Sequence, residues 1–186
     1  MLFYLLLRQI TDVKFPVFDI HSSEAFEKMA LEIYRYQLRE NAVYQQYCQL
    51  INKTQASRLE EIPFLPIQFF KSHTVVSDKR PVKITFTSSG TTGSVVSKHV
   101  VTDLDVYNQS LDHSFKKTYG EIKDYVVLAL LPHYLDRTGS SLVYMAQRWI
   151  NASQRVESGF YLNDLAALSK VLKSFENSHQ KVILIG

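Results

Sequence analysis

The sequence predicts an α/β fold with a mostly parallel sheet and flanking helices, and three observations carry that expectation. Tyr125 to Leu131 is a continuous apolar run of strand length, as expected of a strand covered on both faces, and Val182 to Ile185 is another apolar strand. Helical spacing fills the interval between them, at Ser141 to Ile150 and again at Asp164 to Phe175. The chain has 186 residues and is 46% apolar, enough to fill a substantial core, so disorder is excluded as its general state.

Taken from the N-terminus, residues 1–75 read as a helical region that packs on the core. Met1 to Leu7 is apolar, but it is far shorter than the roughly 20 residues of a membrane span and lacks the small-residue site that comes after a secretory signal. It is read as a buried segment or an artefactual start. Ser22 or Ser23 caps a helix whose apolar positions Phe26, Met29, Ala30, Ile33 and Tyr36 follow the i, i+3, i+4, i+7 rule, and Glu24 suits its first turn. Asn41 restarts a shorter helix through Val43, Tyr44, Tyr47 and Leu50. Pro63 and Pro66 interrupt the next stretch, and Phe64, Leu65, Ile67, Phe69 and Phe70 are expected to form a connector packed on the core.

Residues 76–186 read as an α/β nucleotide-binding core. Val82 to Phe86 is a strand, Lys98 to Val101 a short extended run, and Thr102 with Asp105 opens a helix that ends near Gly120, a residue suited to a left-handed cap. The apolar strand Val182 to Ile185 is followed by no helix that would cover it, so the chain is expected to be truncated.

The net charge of +3 is dispersed. Its densest basic stretch, His73 to Lys83, holds Lys79, Arg80 and Lys83 around Asp78, which reads as a solvated loop and gives no nucleic-acid footprint. Cys48 is the single cysteine and has no internal disulfide partner, which fits a reducing compartment and a cytoplasmic location.

Chemistry concentrates in Thr87-Ser88-Ser89-Gly90-Thr91-Thr92-Gly93-Ser94, directly after a predicted strand. Six hydroxyls and two of the chain's six glycines share these eight residues. Glycine lets backbone N–H groups turn inward, the hydroxyls add donors, and no side chain is large enough to block a bulky anion, so the segment suits polyphosphate. Lys98, just beyond it, supplies a charge that a pyrophosphate leaving group needs. A Walker loop is excluded: counting from Gly93, Lys98 is preceded by Ser97 and followed by His99, so the second glycine and the metal-binding hydroxyl are both missing. A kinase-type Gly-x-Gly-x-x-Gly is absent too.

Phe86 followed by Thr87 to Gly93 resembles the phosphate-loop signature of the adenylate-forming superfamily, which contains acyl-CoA synthetases, peptide-synthetase adenylation domains and firefly-type luciferases. After Gly93 the pattern departs, because Val95, Val96 and Ser97 stand where the family has Pro-Lys-Gly. Met29 to Gln37, Asn41 to Tyr47 and Ile62 to Lys71 are similar to the N-terminal part of one branch, the acyl-protein synthetases that activate fatty acids for bacterial bioluminescence. The likeness spans most of residues 25–140.

That resemblance implies the N-terminal part of the large domain of an adenylate-forming enzyme. It implies ATP-dependent activation of a carboxylic acid, in this branch a fatty acid, to an acyl-adenylate, with ATP and Mg²⁺ as cofactors. It also implies a thiol acceptor: coenzyme A, a carrier protein or a protein cysteine. Thr87, Ser88, Ser89, Gly90, Thr91, Thr92 and Gly93 are the implied phosphate-binding residues, with Lys98 as charge partner. Leu131-Pro132-His133-Tyr134 is similar to the family element that lines the acid pocket, which assigns His133 there; its alternative is an ordinary polar loop residue. The family's Tyr-Gly-x-Thr-Glu-like segment, ribose-binding aspartate and late lysine have no counterpart before Gly186, and Cys48 reads as packing rather than as an acyl acceptor. The rival readings are a non-catalytic nucleotide or acyl-adenylate binding module, and a fragment with no activity.

Overall fold

The computed structural model describes residues 15–77, 79–88, 95–133 and 138–186, and it is mixed α/β. The chain divides into two compact units, 1–104 and 105–186. The hairpin flanking the hydroxyl-rich loop therefore belongs with the helical N-terminal region, and the parallel sheet stands in the other unit.

In the first unit, α1 (Ser23–Glu40) begins where Ser22 Oγ accepts the Ala25 N–H at 3.1 Å. Asn41 then serves two helices. Its N–H donates to the Gln37 carbonyl at the end of α1, and its Oδ1 accepts the Tyr44 N–H at 3.1 Å to open α2 (Ala42–Leu50). One residue thus satisfies end groups on both sides of a sharp bend. The two helices bury Tyr34, Tyr44 and Cys48 with Leu38, Ile62 and Leu65 packed against them. The Tyr44 hydroxyl donates to the Pro63 carbonyl at 2.6 Å and ties the proline-rich connector down.

That connector is only partly packed. Leu65 turns inward, Phe69 of the short helix α3 (Phe69–Ser72) meets Tyr47 edge to face at 5.6 Å, but Phe64 is 85% and Ile67 72% exposed. The expectation that all five apolar residues pack on the core is corrected here: Pro63 and Pro66 hold an irregular path whose alternate side chains face out. Beyond it, β1 (Ile84–Thr87) and β2 (Lys98–Val101) form a two-stranded antiparallel sheet that is separate from the parallel one.

The second unit starts in α4 (Leu104–Tyr119), two residues after the expected cap, and Gly120 succeeds it at φ +88°, the left-handed conformation predicted for that position. β3 (Tyr125–Ala129) is the middle strand of the parallel order β4-β3-β5, where β4 is Gly159–Phe160 and β5 is Lys181–Ile185. α5 (Ser141–Ser153) and α6 (Leu165–Ser174) are the crossovers, and both begin on capping side chains, Ser140 and Asp164. Val126 and Leu128 cluster with Leu168 of α6, while α5 contacts β3 and buries Val143 and Ala146. With both faces covered, Val126, Val127, Leu128 and Ala129 are almost wholly inaccessible. The strand Val182 to Ile185, expected to be a central strand left uncovered, is instead an edge of the three-stranded sheet, and its Leu184 is 51% exposed.

β4 pairs with β3 only at Leu128 and Ala129. Beneath that pairing the ladder continues through a side chain, since Ser158 Oγ accepts the Val127 N–H at 2.9 Å and lies 2.8 Å from the buried Ser153 hydroxyl. The Ser153 hydroxyl in turn donates to the Ile150 carbonyl at 2.8 Å. Trp149, the only tryptophan, meets Phe115 at 5.0 Å and reports on this unit. Denaturant titration followed by its fluorescence should show Leu128→Ala costing about 2 to 5 kcal/mol and Ser158→Ala about 1 to 3 kcal/mol, the latter because Val127 N–H loses its acceptor. Leu184→Ala, at an exposed edge, should cost no more than about 1 kcal/mol; a cost as large as that of Leu128→Ala would show that β5 is not an edge.

Candidate functional site

Hydrogen-bond register decides which residues meet at the hydroxyl-rich loop. β1 and β2 pair as Ile84 with Val101, Thr85 with Val100, Phe86 with His99 and Thr87 with Lys98. Side chains alternate along a strand, so Ile84, Phe86, His99 and Val101 share one face and Thr85, Thr87, Lys98 and Val100 the other. Phe86 and Val101 are buried, and the rings of Phe86 and Phe70 lie 6.4 Å and 6.5 Å from the His99 ring. Thr87 and Lys98 stand on the opposite face, both exposed, at the last paired position before the loop.

One further rung closes the mouth. Ser88 N–H donates to the Ser97 carbonyl at 3.1 Å, and Ser97 N–H donates to Ser88 Oγ at 3.0 Å. Because residues 88 and 97 exchange hydrogen bonds, the neighbouring pair Thr87 and Lys98 falls on the narrow rung of the antiparallel ladder, where facing Cα atoms are only about 4.5 Å apart. Thr87 and Lys98 therefore face each other on one side of the strand pair. At the other end, Lys83 N–H donates to the Val101 carbonyl at 2.9 Å, and the Arg80 guanidinium pairs with Asp103 at 3.0 Å across the base of the hairpin. Arg80, expected in a solvated basic loop, is instead a half-buried structural tie.

Of the residues expected from the sequence, Thr87, Ser88 and Lys98 are brought together by the register at the last rungs of the hairpin. Ser89, Gly90, Thr91, Thr92, Gly93 and Ser94 lie outside the described residues. His133 belongs to the second unit, past the end of β3, with its ring 5.2 Å from that of Phe160 at the end of β4. It thus sits beside the C-terminal ends of two parallel strands, where open α/β sheets commonly bind ligands. Ser97 was not anticipated; the signal that could have found it is the symmetric placement of Ser88 and Ser97 around the loop.

Other reactive groups are accounted for by packing. Burial pushes the Cys48 thiol up, partly offset by a hydrogen bond with Tyr44, and the sulfur is fully inaccessible, so it is a poor nucleophile. A groove of ≈ 690 Å³ lies in the second unit, lined by Phe115, Tyr144, Arg148 and Trp149 among others. The Arg148 guanidinium is engaged there by both Asp112 carboxylate oxygens, and no sequence-predicted site residue lines the groove. Among the described residues no group of three or more His, Cys, Asp or Glu side chains could hold a metal ion, and no helix is long and apolar enough to cross a membrane.

No family model, curated protein or solved structure matches the chain.

The two faces of the hairpin should respond differently to mutation. Phe86→Ala is expected to destabilise the first unit by about 3 to 5 kcal/mol, whereas Lys98→Ala should change stability by no more than about 0.5 kcal/mol. Hydrogen exchange at the His99 and Val101 amides, which face β1, measures both. Loss of protection in the lysine variant as large as in the phenylalanine variant would mean that Lys98 holds the hairpin together rather than serving a ligand.

Proposed function

We propose that this chain is the polyphosphate-holding part of an ATP-dependent, acid-activating enzyme of the adenylate-forming kind. The observation that carries the reading is the pairing of Thr87 with Lys98 on the narrow rung at the mouth of a hydroxyl- and glycine-rich loop. A flexible ammonium beside hydroxyl donors, on the face opposite the buried Phe86, fits a multiply charged anion better than it fits a structural role. The sequence resemblance from Phe86 to Gly93 adds the reaction class.

In the proposed reaction a substrate carboxylate oxygen attacks the α-phosphorus of ATP. The acyl–O–P bond forms, the bond from the α-phosphorus to its bridging oxygen breaks, and pyrophosphate leaves with that electron pair. A thiolate then attacks the acyl carbonyl, giving a thioester and AMP. In the branch that the sequence resembles the acid is a fatty acid, and the resemblance is what assigns His133 to an acid pocket. Thr87 and Ser88 donate hydrogen bonds to phosphate oxygens, and the Lys98 ammonium offsets charge that grows on the departing pyrophosphate. Mg²⁺ fits this arrangement as an ion carried mainly by the phosphates, since it keeps several waters and takes few protein carboxylates in such sites. Cys48, buried with a raised pKa, is not the acyl acceptor in this scheme.

Carboxylate-dependent exchange of labelled pyrophosphate into ATP tests the proposal in the protein that carries this chain. Exchange is expected with an acid between acetate and long-chain fatty acids, and Lys98→Ala should slow it by about 10²-fold or more. No exchange with any of these acids would remove the enzymatic reading. Tight binding of a non-hydrolysable acyl-adenylate mimic without exchange would favour a binding module instead.

A further inference from the structure

We infer that Ser88 is a positioning residue that couples a bound phosphate to the backbone of Ser97, accepting the Ser97 N–H and presenting its own hydroxyl proton to the anion; the inference rests on the polyphosphate reading above. In a continuing antiparallel ladder Ser97 N–H would donate to the Ser88 carbonyl. Here it donates to Ser88 Oγ at 3.0 Å, while the reciprocal bond, Ser88 N–H to the Ser97 carbonyl, keeps its ladder form at 3.1 Å. The ladder therefore passes into a side chain at the point where the loop begins.

A serine hydroxyl has one proton and two lone pairs. With a lone pair taken by the Ser97 amide, the proton remains to be donated, and the acceptor that the mouth offers is an anion drawn by Lys98. Amide, hydroxyl and anion then form a chain in which each bond polarises the next, and the bond to a charged oxygen is the strong one. Ser97 directly precedes Lys98, so tightening the Ser97 amide fixes the start of β2 and with it the stem of the lysine. Ser88 thus acts on the phosphate site both through its own hydroxyl and through the Ser97 amide, which sets it apart from Thr87, paired with Lys98 across the strands.

The test is a nuclear magnetic resonance titration of the ¹⁵N-labelled 186-residue chain with inorganic pyrophosphate, with sodium chloride at matched ionic strength as the control. The Ser97 amide proton is expected to move downfield with the same saturation curve as the Thr87 and Lys98 amides. In Ser88→Ala that amide should exchange with solvent about 2- to 10-fold faster before ligand is added and should not move downfield afterwards. Ser88→Thr, which keeps a hydroxyl on the β-carbon, should restore both behaviours, and with the parent titration it decides the matter if the alanine variant does not fold. A Ser97 amide that stays put while Thr87 and Lys98 respond, or that still moves in Ser88→Ala, overturns the coupling and leaves the phosphate site standing. Silence at all three amides overturns the coupling and the site together.

Discussion

Everything proposed for the first unit depends on one constraint, the register in which β1 and β2 pair. Phe86 is buried, and burying such a ring is worth about 1.5 to 3 kcal/mol. Because side chains alternate, placing Phe86 inward forces Thr87 and its partner Lys98 to the opposite face as a facing pair. A slip of one residue would send the ammonium to the apolar face and leave the phenylalanine in water. Arg80 with Asp103 closes the base of the hairpin and the serine rung closes the mouth, so the register is held at both ends by groups that gain nothing from any other alignment. Apolar burial and charge placement are here two consequences of the same alignment.

The second unit solves a different problem. Its middle strand β3 is covered on both faces by α5 and α6, which demands an uninterrupted apolar run and leaves no charged side chain on the strand itself. Polar groups collect where the strand ends, as with His133, or where the short β4 needs help, as with Ser153 and Ser158. In the groove beside α4 and α5 two of the cations are already engaged, Arg148 by Asp112 and Lys116 by Glu121.

Much of this was legible in the sequence, for reasons that differ from element to element. Ser22, Asn41 and Asp164 announce helix starts because their side chains compete for backbone N–H groups, and the structure uses all three as caps. The run Tyr125 to Leu131 announces a two-faced strand because so many consecutive apolar residues in a short span need cover on both sides. The pairing of β1 with β2 was not legible. Each strand is only four residues long, and a loop of hydroxyls and glycines between them carries no turn signature that separates a hairpin from a strand-to-helix turn. The two-residue β4 has no periodicity at all, and the exposure of Phe64 and Ile67 comes from the path of the proline connector, which no pattern of residue types specifies. At the candidate site, the composition of the loop and the nearby lysine could be read directly, but the facing of Thr87 by Lys98 and the role of Ser97 came only with the register.

The hairpin mouth, and not the larger groove, is the proposed dock for a nucleoside polyphosphate. Paramagnetic broadening of backbone amide signals by Mn²⁺ complexed with ATP locates the phosphates without assuming any turnover. Broadening should be strongest at Thr87, Ser88, Ser97 and Lys98, and it should reverse when excess Mg²⁺ with ATP is added. Broadening centred on Phe115, Arg148 and Trp149, with the hairpin amides unaffected, would contradict that placement.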